Sequence, residues 1–455
     1  MEIFIVSVFV LGYTLITLEH SLKVDKLIPA LIMMALAWAG IAFGLDSFGT
    51  WFDSVHGKLV DGFANLPLHS LGEHDEVTYS ASKSGWLEHT LLHHFGKTCE
   101  ILIFLVGAMT IVEITDHFNG FQTIKTFVKT NSKKTLLWIV CILGFVLSAI
   151  IDNLTATIVL ITILRKIVPD NNLRMWYAGM IIIAANAGGA WSPIGDVTTT
   201  MLWMGNKVTA MELIKNLLLP SFVCMALPTL IAGFLPIFKG NIESDGNEEK
   251  RSKNGPFMLA LGLGMIVFVP VFKTITHLPP YVGMMLSLGI VSLVAEILSN
   301  RKFSLTQVED HEHVHGPTFK ALSKIEMPSI LFFLGILMTV AALESLGLIF
   351  TFGNTVNGMI SEDLFVTLLG VGSAIIDNVP LVAASMGMFQ EQMDAEVWHF
   401  IAYAAGTGGS MLIIGSAAGV VAMGMEKISF FWYLKNITLL ASIGYIAGVG
   451  LILVM

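Results

Sequence analysis

The stretch Ser148-Ala149-Ile150-Ile151-Asp152-Asn153 recurs unchanged as Ser373-Ala374-Ile375-Ile376-Asp377-Asn378. Six identical residues holding an Asp-Asn pair in apolar surroundings point to an internal repeat. The likeness extends outward on both sides. Downstream, AANAGGAWSPIGD (184–196) matches AAGTGGSMLIIGS (404–416) at Ala, Ala, Gly, Gly, Ile and Gly. Upstream, FLVGAMTIVE (104–113) resembles FFLGILMTV (332–340). Two halves, 1–240 and 256–455, thus carry the same elements in the same order.

Composition says where such a repeat lives. Of 455 residues, 55% are hydrophobic and 13% charged, against about 25% charged in a soluble protein. That charge density cannot cover a water-soluble globule, which excludes a soluble multidomain enzyme, a disordered chain and a collagen-like one. The net charge of −9 argues against a nucleic-acid partner, which calls for a basic stripe. The three cysteines, Cys99, Cys141 and Cys224, are odd in number and lack ligand spacing, so neither a disulfide framework nor a zinc site is expected. No G-x-x-x-x-G-K-[ST] loop occurs, so ATP is not expected to drive the protein, and no cofactor is expected. The partner of this surface is the lipid bilayer, and the class is an all-α polytopic membrane protein that is not an enzyme.

Apolar runs near the roughly 20 residues that cross a bilayer fall at about 3–18, 27–44, 99–115, 213–238, 257–272, 280–299, 327–350 and 430–453. The first lacks a basic n-region and an A-x-A site and reads as a retained span. Four longer apolar regions remain: 135–167, 175–205, 364–390 and 397–425. Lysines and arginines orient the chain. They cluster in 116–134 (Lys125, Lys129, Lys133, Lys134), in 239–256 (Lys239, Lys250, Arg251, Lys253) and in 300–326 (Arg301, Lys302, Lys320, Lys324). These loops are assigned to the cytoplasm. The segment 46–98 carries three lysines against seven acids and six histidines and is assigned outside.

This pattern resolves the long regions. Residues 135–167 are flanked by Lys133 and Lys134 and by Arg165 and Lys166, so both ends belong to the cytoplasm. A re-entrant helical hairpin with its tip at Asp152–Asn153 satisfies that. Residues 364–390 have Glu362 and Asp363 before them and Glu391, Asp394 and Glu396 after, and no Lys or Arg occurs from 325 to 426. That is a hairpin entering from the opposite face. With 175–205 and 397–425 each crossing once as a broken helix, ten crossings result and both termini fall outside. The expected fold is two inverted-topology repeats, each with a hairpin and a broken transmembrane helix, as in secondary transporters. The first repeat (1–240) holds the outer His-rich loop 46–98, hairpin 135–167 and broken helix 175–205; the second (256–455) holds hairpin 364–390 and broken helix 397–425.

The few polar residues inside the bilayer carry the chemistry. A carboxylate at mid-membrane costs about 2.5–3.5 kcal/mol on insertion scales and marks an ion pathway when it persists. Asp152 and Asp377 sit at the hairpin tips, and Asp196 in the first broken helix, where Ser416 stands in the second. Oxygen donors surround them in sequence: Asn153, Thr155, Thr157, Asn186, Ser192, Thr198, Thr199 and Thr200, then Asn378, Thr407, Ser410 and Ser416, with Ser148 and Ser373 beside the tips. Hard cations want oxygen ligands, and Gly188, Gly189, Gly195, Gly406, Gly408, Gly409, Gly415 and Pro193 permit helix breaks that free backbone carbonyls. A buried carboxylate holds a proton or helps to hold sodium, so Na+ is expected at Asp152, Asp196 and Asp377 in competition with H+. Glu113 and Glu344 are weaker candidates near span ends. His89, His93 and His94, just before the third span, and His311, His313 and His315 in a cytoplasmic loop read as solvated loop residues, with pH sensing the sharper alternative.

The segments SAIIDNLTATIVL (148–160) and NAGGAWSPIGDVTTTMLW (186–203) resemble those of NhaD-type sodium/proton antiporters of the ion transporter superfamily. The likeness spans essentially the whole membrane region. It implies paired hairpins and broken helices around a central site, homodimers that move a transport domain against a scaffold, and exchange of internal sodium or lithium for external protons at alkaline pH. In a bacterium it implies the inner membrane. Carried over, the cation and proton site comprises Asp152, Asn153, Asn186, Asp196, Thr198, Thr199, Asp377 and Asn378. The His-rich segment 46–98 is less typical of that family. Three alternatives stand beside this reading: an anion carrier of the same architecture (dicarboxylate or arsenite), an ion channel, and an intramembrane aspartyl protease. A protease needs G-x-G-D, whereas Pro193 precedes Gly195-Asp196.

Overall fold

The computed structural model describes residues 1–17, 24–53, 58–61, 83–127, 130–242, 253–300, 316–357, 359–375 and 378–455. Among the described residues, seven helices are long and apolar enough to cross a membrane, and a bent pair makes an eighth. The chain folds as two compact units.

The first unit comprises Met1–Leu102, Glu326–Phe365 and Val379–Glu391. Helix Leu27–Gly44 lies against Met327–Ser345. The approach is close because Gly335 faces the Ala30 backbone, where an added Cβ would stand 2.8 Å from the carbonyl carbon. The Trp38 indole donates to the Met338 carbonyl at 2.8 Å. Gly347, with φ of 69°, ends Met327–Ser345. The apolar run at 327–350 is therefore two elements, continuing as Leu348–Asn357. A short antiparallel ladder, Thr50–Asp53 on Lys58–Asp61, is the exception to an otherwise helical fold among the described residues; Phe52 stacks on Phe350 beneath it.

One expectation is corrected here. The helix that carries the apolar run at 99–115 begins well before it, running Lys83–His117. Trp86, Leu87, Leu91, Leu92 and Phe95 recur at helical spacing, which carries the helix outward past the bilayer-length run. His89, His93 and His94 thus lie on that helix and not in a solvated loop. His94 is buried, 3.4 Å from the Ser345 hydroxyl and beside Trp38. His311, His313 and His315 lie outside the described residues.

The second unit, Ile103–Ile325, Val366–Asn378 and Gln392–Met455, carries the repeat. Helix Lys133–Ile151 stops at Asp152, whose carboxylate caps Asn153–Ile167 by accepting from the Thr155 N–H at 2.8 Å and its hydroxyl at 2.9 Å. Gly144 and Leu160, each eight positions from Asp152, face each other. The two arms therefore fold back as a hairpin, although the first alone is long enough to span. The second hairpin consists of Glu362–Ser373 and Asn378–Met388; its tip lies in the second unit and its open ends in the first, where the Phe365 and Phe389 rings stand 6.0 Å apart.

The broken helices follow one pattern. Asn171–Ala190 gives way at Trp191–Asp196 and restarts as Val197–Met204 under the Asp196 cap. Glu396–Gly408 restarts as Ala417–Glu426 under the Ser416 cap. Backbone angles at the two caps nearly coincide: φ −150° and ψ 151° at Asp196, φ −148° and ψ 153° at Ser416. Gly188 rests on the Phe145 carbonyl, and Gly408 on that of Gly370, the residue that matches Phe145 in the repeat. Any Cβ at either glycine would overlap that oxygen. Ser148 donates to the Ala185 carbonyl at 2.6 Å, and Ser373 to that of Ala405 at 2.8 Å. The apolar run at 430–453 is a bent pair rather than one straight span. Phe430–Asn436 meets Thr438–Ile452 at 55°, where Ile437 wedges against Gly179.

Candidate functional site

The second unit brings polar side chains together around Asp196, which is 2% exposed. As the cap of Val197–Met204, Asp196 accepts through Oδ1 from the Thr198 N–H (2.9 Å) and hydroxyl (3.0 Å). The Asn153 amide donates to Oδ2 at 2.7 Å. The Asn378 amide donates to both oxygens, at 3.3 and 3.2 Å. A buried carboxylate needs such donors, since each hydrogen bond to a charge is worth about 1.5–3 kcal/mol. Asn153 also donates to Asn186 Oδ1 at 3.1 Å, and the Asn186 amide reaches the Ser416 hydroxyl at 3.0 Å. Asn153, Asn186, Asp196, Asn378 and Ser416 thus form one connected network drawn from both hairpin tips and both broken helices.

Asp152 lies at the edge of this group. Its φ of 74° and ψ of 159° are strained for a residue with a Cβ, a cost of order 1–3 kcal/mol that tends to concentrate at functional sites. Asp377 lies outside the described residues. Most of the remaining hydroxyls bind backbone. Ser192 donates to the Ala149 carbonyl at 2.5 Å, Thr199 to that of Asp196 at 3.0 Å, and Thr200 to that of Pro193 at 3.0 Å. Thr407 donates to the Tyr403 carbonyl and Ser410 to that of Thr407, both at 2.6 Å. These bonds pin the breaks in place. Thr157 differs: fully buried, its hydroxyl has no partner. Among the described residues no group of three or more His, Cys, Asp or Glu side chains could hold a metal ion.

A family model described as CitMHS, citrate transporter, matches residues 13–400. The Na(+)/H(+) antiporter NhaD of Vibrio cholerae is 30% identical over 477 residues, covering 98% of this chain and 90% of that protein. This chain belongs to the NhaD antiporters of the ion transporter superfamily. NhaD of Vibrio parahaemolyticus is 33% identical over 380 residues, covering 79% of this chain and 90% of that one. Sodium/proton antiporter 1 of Arabidopsis thaliana is 45% identical over 368 residues; the match takes in 79% of this chain but spans only 62% of that protein's length. The crystal structure of the Alcanivorax borkumensis YdaH transporter, described as having an unusual topology, superposes with a TM-score of 0.60 at 14% identity, over 94% of this chain and 98% of that one. The NhaD-type chain shares its fold, that of a multi-pass helical membrane protein.

The structure also assembles a group that the sequence did not single out. Glu426, the last residue of the second broken helix, is buried, with its side chain 1% exposed. It accepts from Arg165 at 2.7 Å and from Arg174 at 2.9 Å. One carboxylate thereby ties the end of the first hairpin, the start of the first broken helix and the end of the second. Glu426 closes a long stretch that lacks lysine and arginine, a signal that its partners come from elsewhere in the chain. Glu113, by contrast, pairs with Lys324 at 3.7 Å.

Proposed function

We propose that this chain exchanges cytoplasmic Na+ or Li+ for external H+ by alternating access, with the ion and the protons competing for the carboxylates around Asp196. The observation that carries this reading is a single buried carboxylate gripped by an asparagine from each repeat. The antiporter names of its relatives support it. Asn153 and Asn378 bind Asp196 through their amide nitrogens, so the side-chain carbonyls are available to a dehydrated cation. The proposed site comprises Asp152, Asn153, Asn186, Asp196, Thr198, Thr199, Asp377 and Asn378, with the first repeat running 1–240 and the second 256–455. The homodimer, the bacterial inner membrane and outward termini belong to the same proposal.

A proton neutralises the carboxylate and removes one of its acceptor sites, so sodium is released as protons load. The apparent KM for sodium therefore falls as pH rises. Two competent carboxylates carry more protons than sodium ions per cycle, which makes exchange electrogenic; flux indifferent to an imposed membrane potential would sink that stoichiometry. The citrate description of the matching family favours a second reading, anion transport, which a buried carboxylate at the centre opposes. Proton movement in everted vesicles on adding sodium, lithium, potassium or citrate separates the two. Sodium and lithium should dissipate the proton gradient; a response to citrate alone would overturn the antiporter.

A further inference from the structure

A threonine inside a helix has an easy partner for its hydroxyl, the carbonyl four residues back. Among the described residues nine threonines use it: Thr14, Thr110, Thr115, Thr229, Thr274, Thr276, Thr339, Thr355 and Thr407. Thr157 does not, although it is fully buried and the carbonyl of Asn153 stands at that spacing. A desolvated hydroxyl without a partner is costly, and here the remedy is local and unused. Residues four apart on a helix share a face, so Thr157 lies one turn along from Asn153, on the side from which Asn153 holds Asp196. Its helix, Asn153–Ile167, packs on both broken helices, Asn171–Ala190 and Ala417–Glu426. Ser221, Ser292 and Thr318 carry partnerless hydroxyls as well, but on helices that hold none of the site residues.

We infer that the Thr157 hydroxyl is an additional oxygen ligand of the transported sodium ion, a reading that rests on the antiporter function proposed above. Sodium takes oxygen ligands, and a neutral hydroxyl supplies one without adding charge to a site already holding Asp196. The repeat reinforces the assignment by contrast. The matching position in the second hairpin is Val382, equally buried. One copy of the hairpin therefore accepts a β-branched apolar side chain of the same shape, while the copy whose tip grips Asp196 most closely carries the hydroxyl.

The isosteric variant Thr157→Val tests this, with Thr157→Ser as its control. Proton flux against sodium concentration is measured in vesicles, and melting temperature in detergent with and without sodium. Loss of one ligand to a charged species raises the apparent KM for sodium about ten-fold in Thr157→Val and shrinks the sodium-induced rise in melting temperature. The sodium-free melting temperature holds or increases, because an unpartnered hydroxyl has been removed, and Thr157→Ser restores the wild-type KM. An unchanged KM in Thr157→Val, beside a wild type that responds to sodium, overturns the ligand role alone. A raised KM accompanied by a lower sodium-free melting temperature, or not restored by serine, assigns Thr157 to packing and overturns it too. A wild type that fails to respond to sodium overturns the antiporter reading, and the ligand with it.

Discussion

The two broken helices share a backbone and differ in chemistry. Asp196 and Ser416 cap their second halves with angles that agree within a few degrees, and Gly188 and Gly408 rest on matching carbonyls. Yet one cap is a carboxylate and the other a hydroxyl. In the repeat alignment Asn186 corresponds to Gly406, and Thr155 and Thr157 correspond to Pro380 and Val382. The asparagine of the second hairpin does not settle on its own repeat's cap; Asn378 reaches Asp196. Symmetry therefore builds the frame, and asymmetry places the charge. A duplicated scaffold delivers two tips to one point, and a single acid between them suffices for both to hold.

The sharpest attack on this contrast exchanges the two caps' roles. Asp196→Asn keeps an N-capping side chain but removes the charge, and sodium-driven proton flux should fall below detection; Ser416→Ala, which takes one acceptor from Asn186, should leave measurable exchange. Equal losses would show that the acid and the hydroxyl are interchangeable and would break the asymmetry. Next come the two donors. Removing either amide withdraws a hydrogen bond to a charge worth about 1.5–3 kcal/mol, roughly ten- to a hundred-fold in sodium KM. Asn153→Ala should exceed Asn378→Ala, since its bond to Asp196 is 2.7 Å against 3.2 Å and it also serves Asn186. A reversed order in vesicle assays would place the main grip in the second repeat.

Smaller effects concern the frame. Glu426→Gln leaves Arg165 and Arg174 without their shared carboxylate. Because Arg165 is 44% exposed, water recovers part of the loss, and a destabilisation of about 1–3 kcal/mol is expected instead of the larger penalty of a wholly buried pair. A melting temperature that does not move would mean the arginines are already solvated. Smallest are Ser148→Ala and Ser373→Ala, each about 1 kcal/mol from one lost bond to a buried carbonyl. The two should lower the melting temperature equally, and unequal shifts would show that the frames are less alike than their geometry.

Much of this was legible in the amino-acid sequence because repetition and backbone chemistry both leave marks. The repeated Asp-Asn pair located the first hairpin's tip at Asp152 and the start of the second hairpin's returning arm at Asn378, and Gly188, Gly189, Pro193 and Gly195 located the first break. What stayed hidden was choice of partner. Nothing in residue order tells Asn378 to seek Asp196 over Ser416, or brings Glu426 to Arg165 and Arg174, since these depend on how distant elements pack. The extension of the third helix back to Lys83 was hidden for another reason: its histidines and charges mask an apolar spacing that hydropathy alone averages away. The bend at Ile437 contains no proline and follows from a neighbour, Gly179, that leaves room for it.

Sharing one acceptor has a mechanical consequence. Both hairpins are moored to the same carboxylate, the first through Asn153 and the second through Asn378. Whatever changes the charge on that carboxylate is therefore felt in both repeats at once, and one mooring couples the two halves of the chain.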